Sequence, residues 1–280
     1  MNDRVERIGH STIQHGKDSN RVYLMEYSPK DQATLAQDLI EFAKQKGYTK
    51  IFAKTPASQA SVFMEEGYEV EATIENYCQG KTDYVFLAKY FDENRKHPEN
   101  LQEIDKVIAT AKKKENLLAL PKLSDKMQVR KLTPGDKEQL ARLYRAVFET
   151  YPFPIHQEEY LVETMEDQVT YFGIFENDTL IAASSAEKNA ACKNAEMTDF
   201  AILPEYRGEN FASLLLDEME KEMKRIGYKT LYTIARAVSY GMNATFSKAG
   251  YRFSGTLYSN TQISGSLESM NVWYKNIKGE

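Results

Sequence analysis

The most constraining feature of the sequence is a strand that ends at a proline and is followed by a polar loop and an amphipathic helix. The strand covers residues 195–203, Pro204 closes it, and the loop covers 205–210. Apolar residues then recur at helical spacing over 211–226, with acids and lysines on the other face. Such a junction directs free backbone N–H groups and the positive end of the helix dipole to one spot. It therefore predicts an anion site, with phosphate as the expected ligand group.

The residues of this loop suit a close approach to an anion. Gly208 adopts a positive φ angle without steric cost, and Asn210 is among the few other residues that tolerate one. Ala212 keeps the first helical turn narrow, and Arg207 adds a cation. A rival motif at 80–82 (Gly-Lys-Thr) lacks the earlier glycine of a nucleotide-binding loop, so it predicts a turn between strands.

The elements around the loop predict a mixed α/β domain over residues 127–280. An Asn-Asp pair between two β-rich runs indicates a hairpin over 169–187. The expected order is helix 136–150, hairpin 169–187, strand 195–203, helix 211–226, strand 229–235, a short helix ending near Gly250, and final strands 253–259 and 270–276.

The first half of the chain repeats part of this order. Strands are expected at 21–27, 50–54, 69–77 and 83–90, and helices at 33–47 and 57–67. Two Gly-Tyr pairs, at 47–48 and 67–68, align with those at 227–228 and 250–251, which indicates an internal repeat. Residues 1–92 are therefore predicted to form a smaller α/β half-domain, a degenerate copy without the anion loop.

A charged, helix-forming segment connects the two copies. Residues 93–126 carry apolar residues at helical spacing, bracketed by Pro98 and Pro121. They predict a linker helix packed across the domains, with a coiled coil as the alternative.

The composition excludes several classes of protein. The chain is 42% hydrophobic and 28% charged, which is typical of a folded globular protein. Its net charge of −5 and the absence of a sustained basic stripe argue against nucleic-acid binding. The sequence has no apolar run of membrane-spanning length and no recognisable secretory leader, so no membrane partner and a cytoplasmic location are expected. Cys78 and Cys192 are far apart and the four histidines are dispersed, so no metal site is predicted. A disulfide is one alternative, but reduced, partly buried thiols are expected.

The segment from Pro204 to Ala212 resembles the acetyl-CoA loop of the GNAT superfamily of N-acetyltransferases, whose pattern is Arg/Gln-x-x-Gly-x-Gly/Ala. Arg207 and Ala212 match the pattern, whereas Asn210 stands where the family usually has its middle glycine. The resemblance covers 127–278, and 243–251 is similar to the second CoA-contacting helix of the family. More narrowly, the chain resembles the β-lysine N6-acetyltransferase group, which shares its length, its extra N-terminal domain and the Tyr-Pro-Phe-Pro stretch at 151–154.

The resemblance implies a GNAT-type mixed twisted sheet flanked by helices, and direct attack of an amine on acetyl-CoA in a ternary complex without an acyl-enzyme. Acetyl-CoA is thus the expected co-substrate, and neither cysteine is expected to act as a nucleophile. Ala201 to Leu203 would bind the pantetheine arm, with one N–H polarising the thioester carbonyl. The residues expected to bind CoA are Ala201, Ile202, Leu203, Arg207, Gly208, Glu209, Asn210, Phe211, Ala212, Ser213, Asn243 and Phe246.

The catalytic groups are less constrained by the sequence. Glu196 is the preferred general base, acting directly or through water. Asp199 lies three positions further along the same strand, so the two side chains are expected on opposite faces, and Asp199 would equally suit a substrate ammonium. Where the family usually has a tyrosine as proton donor to the thiolate, this chain has Phe246. Tyr240, another tyrosine or solvent is left to supply that proton.

The resemblance implies a small-molecule amine as substrate, β-lysine being converted to N6-acetyl-β-lysine, a neutral zwitterion suited to be a compatible solute. β-Lysine carries two amines and a carboxylate, so its site needs both anionic and cationic groups. The candidates are Glu149, Tyr151, Asp199 and Arg236. Alternative substrates are a polyamine, another amino acid or a protein lysine, and a non-catalytic acetyl-CoA-binding protein is the alternative of another class. The oligomeric state is left open, a homodimer included.

Overall fold

The computed structural model describes residues 3–263 and 265–277, which form two twisted mixed sheets with helices packed on them. The N-terminal strands are β1 (Arg4–Ile8), β2 (Ser11–Gly16), β3 (Arg21–Glu26), β4 (Lys50–Pro56), β5 (Glu69–Cys78) and β6 (Thr82–Tyr90), with helices α1 (Leu35–Lys46) and α2 (Ala60–Glu65). Within the described residues these strands form one sheet in the order β1-β2-β3-β4-β6-β5.

Two helices, α3 (Glu93–Lys96) and α4 (Leu101–Lys112), lead to the second sheet. Its strands are β7 (Met127–Lys131), β8 (Val169–Glu176), β9 (Thr179–Asn189), β10 (Asn194–Ile202), β11 (Thr230–Arg236), β12 (Arg252–Ile263) and β13 (Ser266–Asn276). The accompanying helices are α5 (Lys137–Val147), α6 (Glu158–Asp167), α7 (Phe211–Arg225) and α8 (Tyr240–Lys248). The strand order is β12-β13-β11-β10-β9-β8-β7, so the predicted mixed sheet flanked by helices is confirmed.

The sequence pattern does not predict the hairpin β1–β2 or helix α6. Every residue of β1 except Ile8 is exposed, so this edge strand has no apolar alternation to detect. Helix α6 buries only Leu161 fully, and its remaining residues give too weak an apolar stripe.

The two sheets share one topology, which supports the internal repeat inferred from the sequence. Each contains one parallel pair, β3–β4 in the first sheet and β10–β11 in the second. Each also has a closing hairpin with two register shifts, at Val70/Ala72 and Ile74/Cys78 in β5–β6 and at Phe253/Gly255 and Leu257/Thr261 in β12–β13. These positions differ by the same offset that relates Gly67 to Gly250. The domain boundaries at residues 92 and 126 stay predictions.

An apolar layer joins the two sheets. It contains Tyr23, Phe52, Ala72, Ile74, Tyr77 and Phe86 from the first sheet and Tyr232, Leu257, Met270, Val272 and Tyr274 from the second. The edge strands β5 and β12 lie against each other, where the N–H of Thr73 donates to Ser254 Oγ at 2.8 Å. A Cβ atom added at Gly255 would lie 1.9 Å from the carbonyl oxygen of Glu71, so this close approach requires glycine.

Three buried cations strengthen this interface by donating to consecutive carbonyls of β12. Lys50 Nζ lies 2.7 Å from Tyr258 O, Arg95 Nε 2.9 Å from Ser259 O, and Arg21 Nη1 2.6 Å from Asn260 O. A buried cation that lost such acceptors would be strongly destabilising. The three bonds therefore fix how the first sheet sits on the second.

The linker segment packs on the C-terminal half. Helix α4 lies against α8, and Ala111 belongs to the core beneath the second sheet. Beyond α4, the N–H of Asn116 donates to Ser247 O at 3.1 Å. The expected linker helix is thus present over part of 93–126, and it packs on a single helix rather than in a coiled coil.

The two cysteines form a disulfide, which corrects the expectation of reduced thiols. The Cα atoms of Cys78 and Cys192 are 4.2 Å apart. Cys78 ends β5, and Cys192 lies in the turn between β9 and β10, so the bond links the two sheets covalently. The sequence did not reveal the pairing because only the packing of one sheet on the other brings these turns together.

Candidate active site

A cleft opens in the second sheet where two parallel strands part. Strands β10 and β11 pair only from Asn194/Thr230 to Glu196/Tyr232, although β10 continues to Ile202. Beyond Glu196, one edge of β10 stays paired with β9 while the other faces the cleft. The first sheet closes this opening from the far side, so both sheets line a cavity of about 570 Å³.

A bulge in β10 sets the direction of its carboxylates. The register with β9 shifts between Thr198 and Ala201, and Asp199 has a φ of 53°. This left-handed residue breaks the two-residue alternation of the strand. As a result Glu196 and Asp199 both line the cavity, which corrects the expectation that they lie on opposite faces. A single residue with positive φ is enough to cause this change.

The backbone of β10 beyond the bulge offers donors to the cleft. The N–H of Leu203 donates to Ile181 O at 3.0 Å, so it is not free for a ligand. Of the three N–H groups expected to polarise the thioester carbonyl, this one is therefore occupied. Because N–H groups alternate along a regular strand, that of Ile202, next to Leu203, points to the opposite edge, into the cleft. Phe200 also lines the cavity and was missed by the sequence analysis.

The predicted anion loop is exposed and has the expected backbone. Gly208 has a φ of 94° and Asn210 a φ of 59° at the N-cap of α7. The N–H groups of Tyr206 and Arg207 donate to Leu203 O and Pro204 O, and that of Ser213 donates to Asn210 O. Within the described residues, no acceptor in the chain takes the N–H groups of 208–212. These five amides point from the loop and first helical turn into one exposed region, as an anion site requires.

The side chains around the loop differ in what they offer. Tyr206 donates to Glu176 at 2.6 Å, which anchors the loop to β8. Phe211 is buried in the core, while Arg207, Gly208, Glu209 and Asn210 are exposed. The ammonium of Lys248, 3.4 Å from Asn210 Oδ1, is a further cation beside the loop. It lies on α8, one helix away in the fold, so no loop motif in the sequence indicates it.

The two predicted CoA contacts on the second helix have different outcomes. Asn243 is fully buried, and its amide donates to Arg236 O and Ser239 O and accepts from Trp273 Nε1 at 2.8 Å. It joins α8 to β11 and β13, so its proposed CoA contact is wrong. Phe246 does line the cavity, and its ring packs edge-on against Phe200 with centroids 5.7 Å apart.

Glu196 and Glu187 form the acidic part of the cavity. Burial raises the pKa of Glu196, whereas Lys54 and a hydrogen bond from Tyr232 oppose the rise. Burial also raises the pKa of Glu187, and the nearby carboxylates of Glu196 and Asp199 raise it further.

Asp199 is held in place by hydroxyl groups. Tyr151 donates to its Oδ1, and Ser185 donates to its Oδ2 at 2.5 Å. Burial raises the pKa of Asp199 despite these bonds. With each oxygen already accepting a hydroxyl, Asp199 is suited to position Tyr151 and its rigid Tyr-Pro-Phe-Pro loop rather than to take a proton from substrate.

Two predicted site residues do not reach the cavity. The side chain of Tyr240 is 46% exposed, and Glu149 is exposed near Gly265; neither lines the cavity. Their roles as proton donor and substrate ligand are therefore not supported. Arg236 does line the cavity, with its Nη2 donating to Glu268 at 2.9 Å.

The first sheet supplies residues that the sequence analysis missed. Its contribution to the cavity wall includes Tyr23, Phe52, Lys54, Tyr77 and Tyr84. The sequence repeat predicts that the first copy has no anion loop. It therefore gives no reason to expect site residues in the first sheet. The aromatic residues of its strands indicate a buried face, but they do not indicate that this face lines a substrate cleft.

Two features are absent from residues 3–263 and 265–277. No group of three or more His, Cys, Asp or Glu side chains there is arranged to hold a metal ion. No helix there has both the length and the apolar character needed to cross a bilayer.

Comparisons with known proteins identify the family. The sequence profile of the Acetyltransferase (GNAT) family matches residues 138–251. The β-lysine N(6)-acetyltransferase of Methanococcus maripaludis is 39% identical over 273 residues, covering 98% of this chain and 98% of that protein. N-acetyltransferase YodP of Bacillus subtilis is 31% identical, covering 95% of this chain and 96% of that protein. The β-lysine N(6)-acetyltransferase of Methanosarcina mazei is 30% identical, covering 80% of this chain and 90% of that protein.

Fold, cleft and sequence similarity together define an acyltransferase that takes its acyl group from acetyl-CoA. The chain belongs to the GNAT acetyltransferase family. The matched range contains β10, the anion loop, α7 and α8, which are the elements that build the cleft.

Proposed function

We propose that this GNAT acetyltransferase acetylates the side-chain amine of a small diamino acid, with β-lysine as substrate and N6-acetyl-β-lysine as product. One observation carries the proposal: β10, which lines the cavity with Glu196, leads directly into an anion loop with five free amides. Two of the relatives, at 39% and 30% identity, are named β-lysine N(6)-acetyltransferases, which supports the choice of amine.

One orientation of acetyl-CoA would place both its diphosphate and its pantetheine arm beside hydrogen-bond donors of the chain. Amides 208–212 and the cations Arg207 and Lys248 would bind the diphosphate of acetyl-CoA. The pantetheine arm would then lie along the free edge of β10, between it and β11. The N–H group of Ile202 faces this edge, so it would donate to the thioester oxygen as that oxygen gains negative charge.

Glu196 is suited to remove the proton from the acceptor amine. An ammonium cannot attack, so the amine must give up a proton before or during formation of the new C–N bond. The raised pKa of Glu196 brings its carboxylate closer to the proton affinity that this transfer requires. The C–S bond breaks as the C–N bond forms, and CoA leaves as a thiolate that is then protonated. Solvent is the proton source we favour, because Phe246 has no hydroxyl and Tyr240 lies outside the cavity.

The charges in the cavity match a substrate with more than one charged group. Glu187 and Glu196 would attract ammonium groups, while Lys54 offers a cation on the same surface. A polyamine has ammonium groups for the carboxylates but no anion for Lys54. A diamino acid has both.

The test is the release of free CoA thiol from acetyl-CoA with β-lysine, α-lysine and spermidine as acceptors. We expect kcat/KM for β-lysine to exceed that for spermidine about a hundred-fold, because spermidine has no carboxylate for the cation of the cavity. The expected margin over α-lysine is about ten-fold, because its second amine lies one carbon away from the position in β-lysine. Faster turnover of spermidine than of β-lysine would contradict the proposal.

A second candidate is a non-catalytic acetyl-CoA-binding protein. It is favoured by Phe246, which stands where the family usually has a proton-donating tyrosine. The same assay separates the two candidates, because a binding protein would hold CoA tightly and release no thiol with any of the three amines.

A further inference from the structure

The wall of the cavity that faces Glu196 comes from the first sheet and is rich in aromatic side chains. Tyr23, Phe52, Tyr77 and Tyr84 contribute rings to it. Lys54, which comes from β4, lines the same wall beside the Tyr23 ring. A cation on an aromatic wall opposite two carboxylates calls for a functional explanation, because lysine is costly to bury without a partner.

Lys54 has no carboxylate close enough for an ion pair. Its ammonium lies 5.1 Å from the centroid of the Tyr23 ring, and it shares a hydrogen bond with the Tyr23 hydroxyl. Glu196 and Glu187 are near enough to interact with it electrostatically. Among the described residues, however, no acidic oxygen lies within 4 Å of its Nζ. An ammonium has three donors, so part of its bonding capacity is left for a ligand.

The two arginines that line the cavity are partly engaged by the chain. Arg21 donates to Asn260 O and to Thr261 Oγ1, and Arg236 donates to Glu268, while the Nε atom of each has no partner among the described residues. Moving either guanidinium toward a ligand would weaken bonds that hold the sheets or β11 in place. Lys54 makes no ion pair among the described residues, so its ammonium can bind a ligand without such a loss.

We propose that Lys54, supplied by the N-terminal sheet, binds the carboxylate of the substrate and makes the enzyme select amino acids over polyamines. This inference rests on the proposed function, since it assigns one end of the same substrate. The acceptor amine lies at Glu196 on the second sheet and the carboxylate at Lys54 on the first. The degenerate N-terminal copy is thereby a specificity wall of the active site.

The test compares β-lysine with β-lysine amide, which keeps both amines but has no carboxylate. The variants are Lys54→Gln, which removes the charge, and Lys54→Arg, which keeps it. Lys44→Gln is the matched control, because Lys44 is an exposed lysine of the same half of the chain that does not line the cavity. Full KM and kcat values are measured for wild type and each variant by thiol release.

In Lys54→Gln we expect KM for β-lysine to rise about ten- to a hundred-fold, the range of a hydrogen bond between charged groups. KM for the amide is expected to stay within about two-fold, because that substrate never uses the charge. Lys54→Arg should recover part of the affinity for β-lysine, and Lys44→Gln should leave the kinetics of both substrates unchanged.

An equal rise for β-lysine and its amide would overturn the inference, since Lys54 would then act only through Glu196. An effect of that kind would also appear in kcat, whereas the proposed contact appears in KM.

If the wild type prefers another amino acid, the proposed substrate is wrong, and the same comparison with that acid and its amide still tests Lys54. Exclusive use of amines without a carboxylate would overturn both. If no amine is acetylated, the proposed function fails, and calorimetry of β-lysine binding to the CoA-loaded protein still tests Lys54 through the loss of affinity in Lys54→Gln.

Discussion

Replacing Glu196 with glutamine is expected to lower kcat for amine acetylation by about 10²- to 10⁴-fold at neutral pH, the usual contribution of a positioned general base. Glutamine keeps the shape and a hydrogen-bonding oxygen but cannot accept the amine proton. Steady-state kinetics with β-lysine provide the measurement. The affinity for CoA should be unchanged, because Glu196 lies at the inner end of the cleft, away from the anion loop.

The same substitution is expected to preserve or increase stability. Burial raises the pKa of Glu196 in the folded chain, so its charged form opposes folding at pH values above its ordinary pKa. That penalty is absent at low pH, where the carboxyl is protonated in both states, grows as the pH rises from its ordinary pKa to its folded-state pKa, and is constant above that. Glutamine removes it, so the thermal midpoint at pH 7–8 should not fall. Glu166→Gln, on the exposed side of α6, is the control for a change of charge alone.

The pH profile of the wild type gives a second readout of the same residue. The base must be ionised, so kcat/KM should rise with pH along a limb that lies above the ordinary pKa of glutamate and disappears in Glu196→Gln. Nearly unchanged kcat in Glu196→Gln, with the limb retained, would show that another group takes the proton.

The second large effect is expected from Ala212→Asp, which places a carboxylate among the free amides of the anion loop. Ala212 is the second residue of α7, and a negative charge there favours the helix by about 0.3–1 kcal/mol. The same charge fills the anion site and repels the diphosphate. With two charge-assisted hydrogen bonds lost, at about 1.5–3 kcal/mol each, the Kd for CoA should rise about 10²- to 10⁴-fold.

Calorimetric titration with CoA measures this loss, and Ala212→Asn controls for the size of the side chain. Turnover of S-acetylpantetheine offers a sharper control, because this donor has no diphosphate and should be used equally by wild type and Ala212→Asp. A variant that binds CoA as tightly as the wild type while keeping its fold would place the diphosphate elsewhere.

The parts of the site that the sequence predicted are those set by local geometry. Positive φ at Gly208 and Asn210 follows from residue type and from the turn between strand and helix. The helix that begins at Phe211 follows from its apolar period. Both properties are decided within about ten residues of chain, so no knowledge of packing is needed.

The parts that the sequence did not predict depend on packing over long distances. The bulge at Asp199 turns two carboxylates to one side, and nothing in the strand's alternation indicates it. The sequence predicts that Asn243 contacts the ligand, but in the fold Trp273 and Asn271 donate hydrogen bonds to its amide oxygen. Lys54 joins the site only because the first sheet packs over the cleft.

The repeat explains why a copy without the anion loop contributes to the site. The related topology of the two sheets allows them to pack through a shared aromatic layer, with β5 against β12. That arrangement places the face of β4 over the cleft between β10 and β11. The first copy is thereby positioned to contribute side chains to substrate binding, although it has no chemistry of its own.

The central claim is that amides 208–212 bind the diphosphate of CoA, and hydrogen exchange at these five N–H groups tests it most directly. With saturating CoA, exchange at these amides is predicted to slow markedly, while saturating pantetheine leaves them unchanged. Unaltered exchange at 208–212 in protein saturated with CoA would contradict the account.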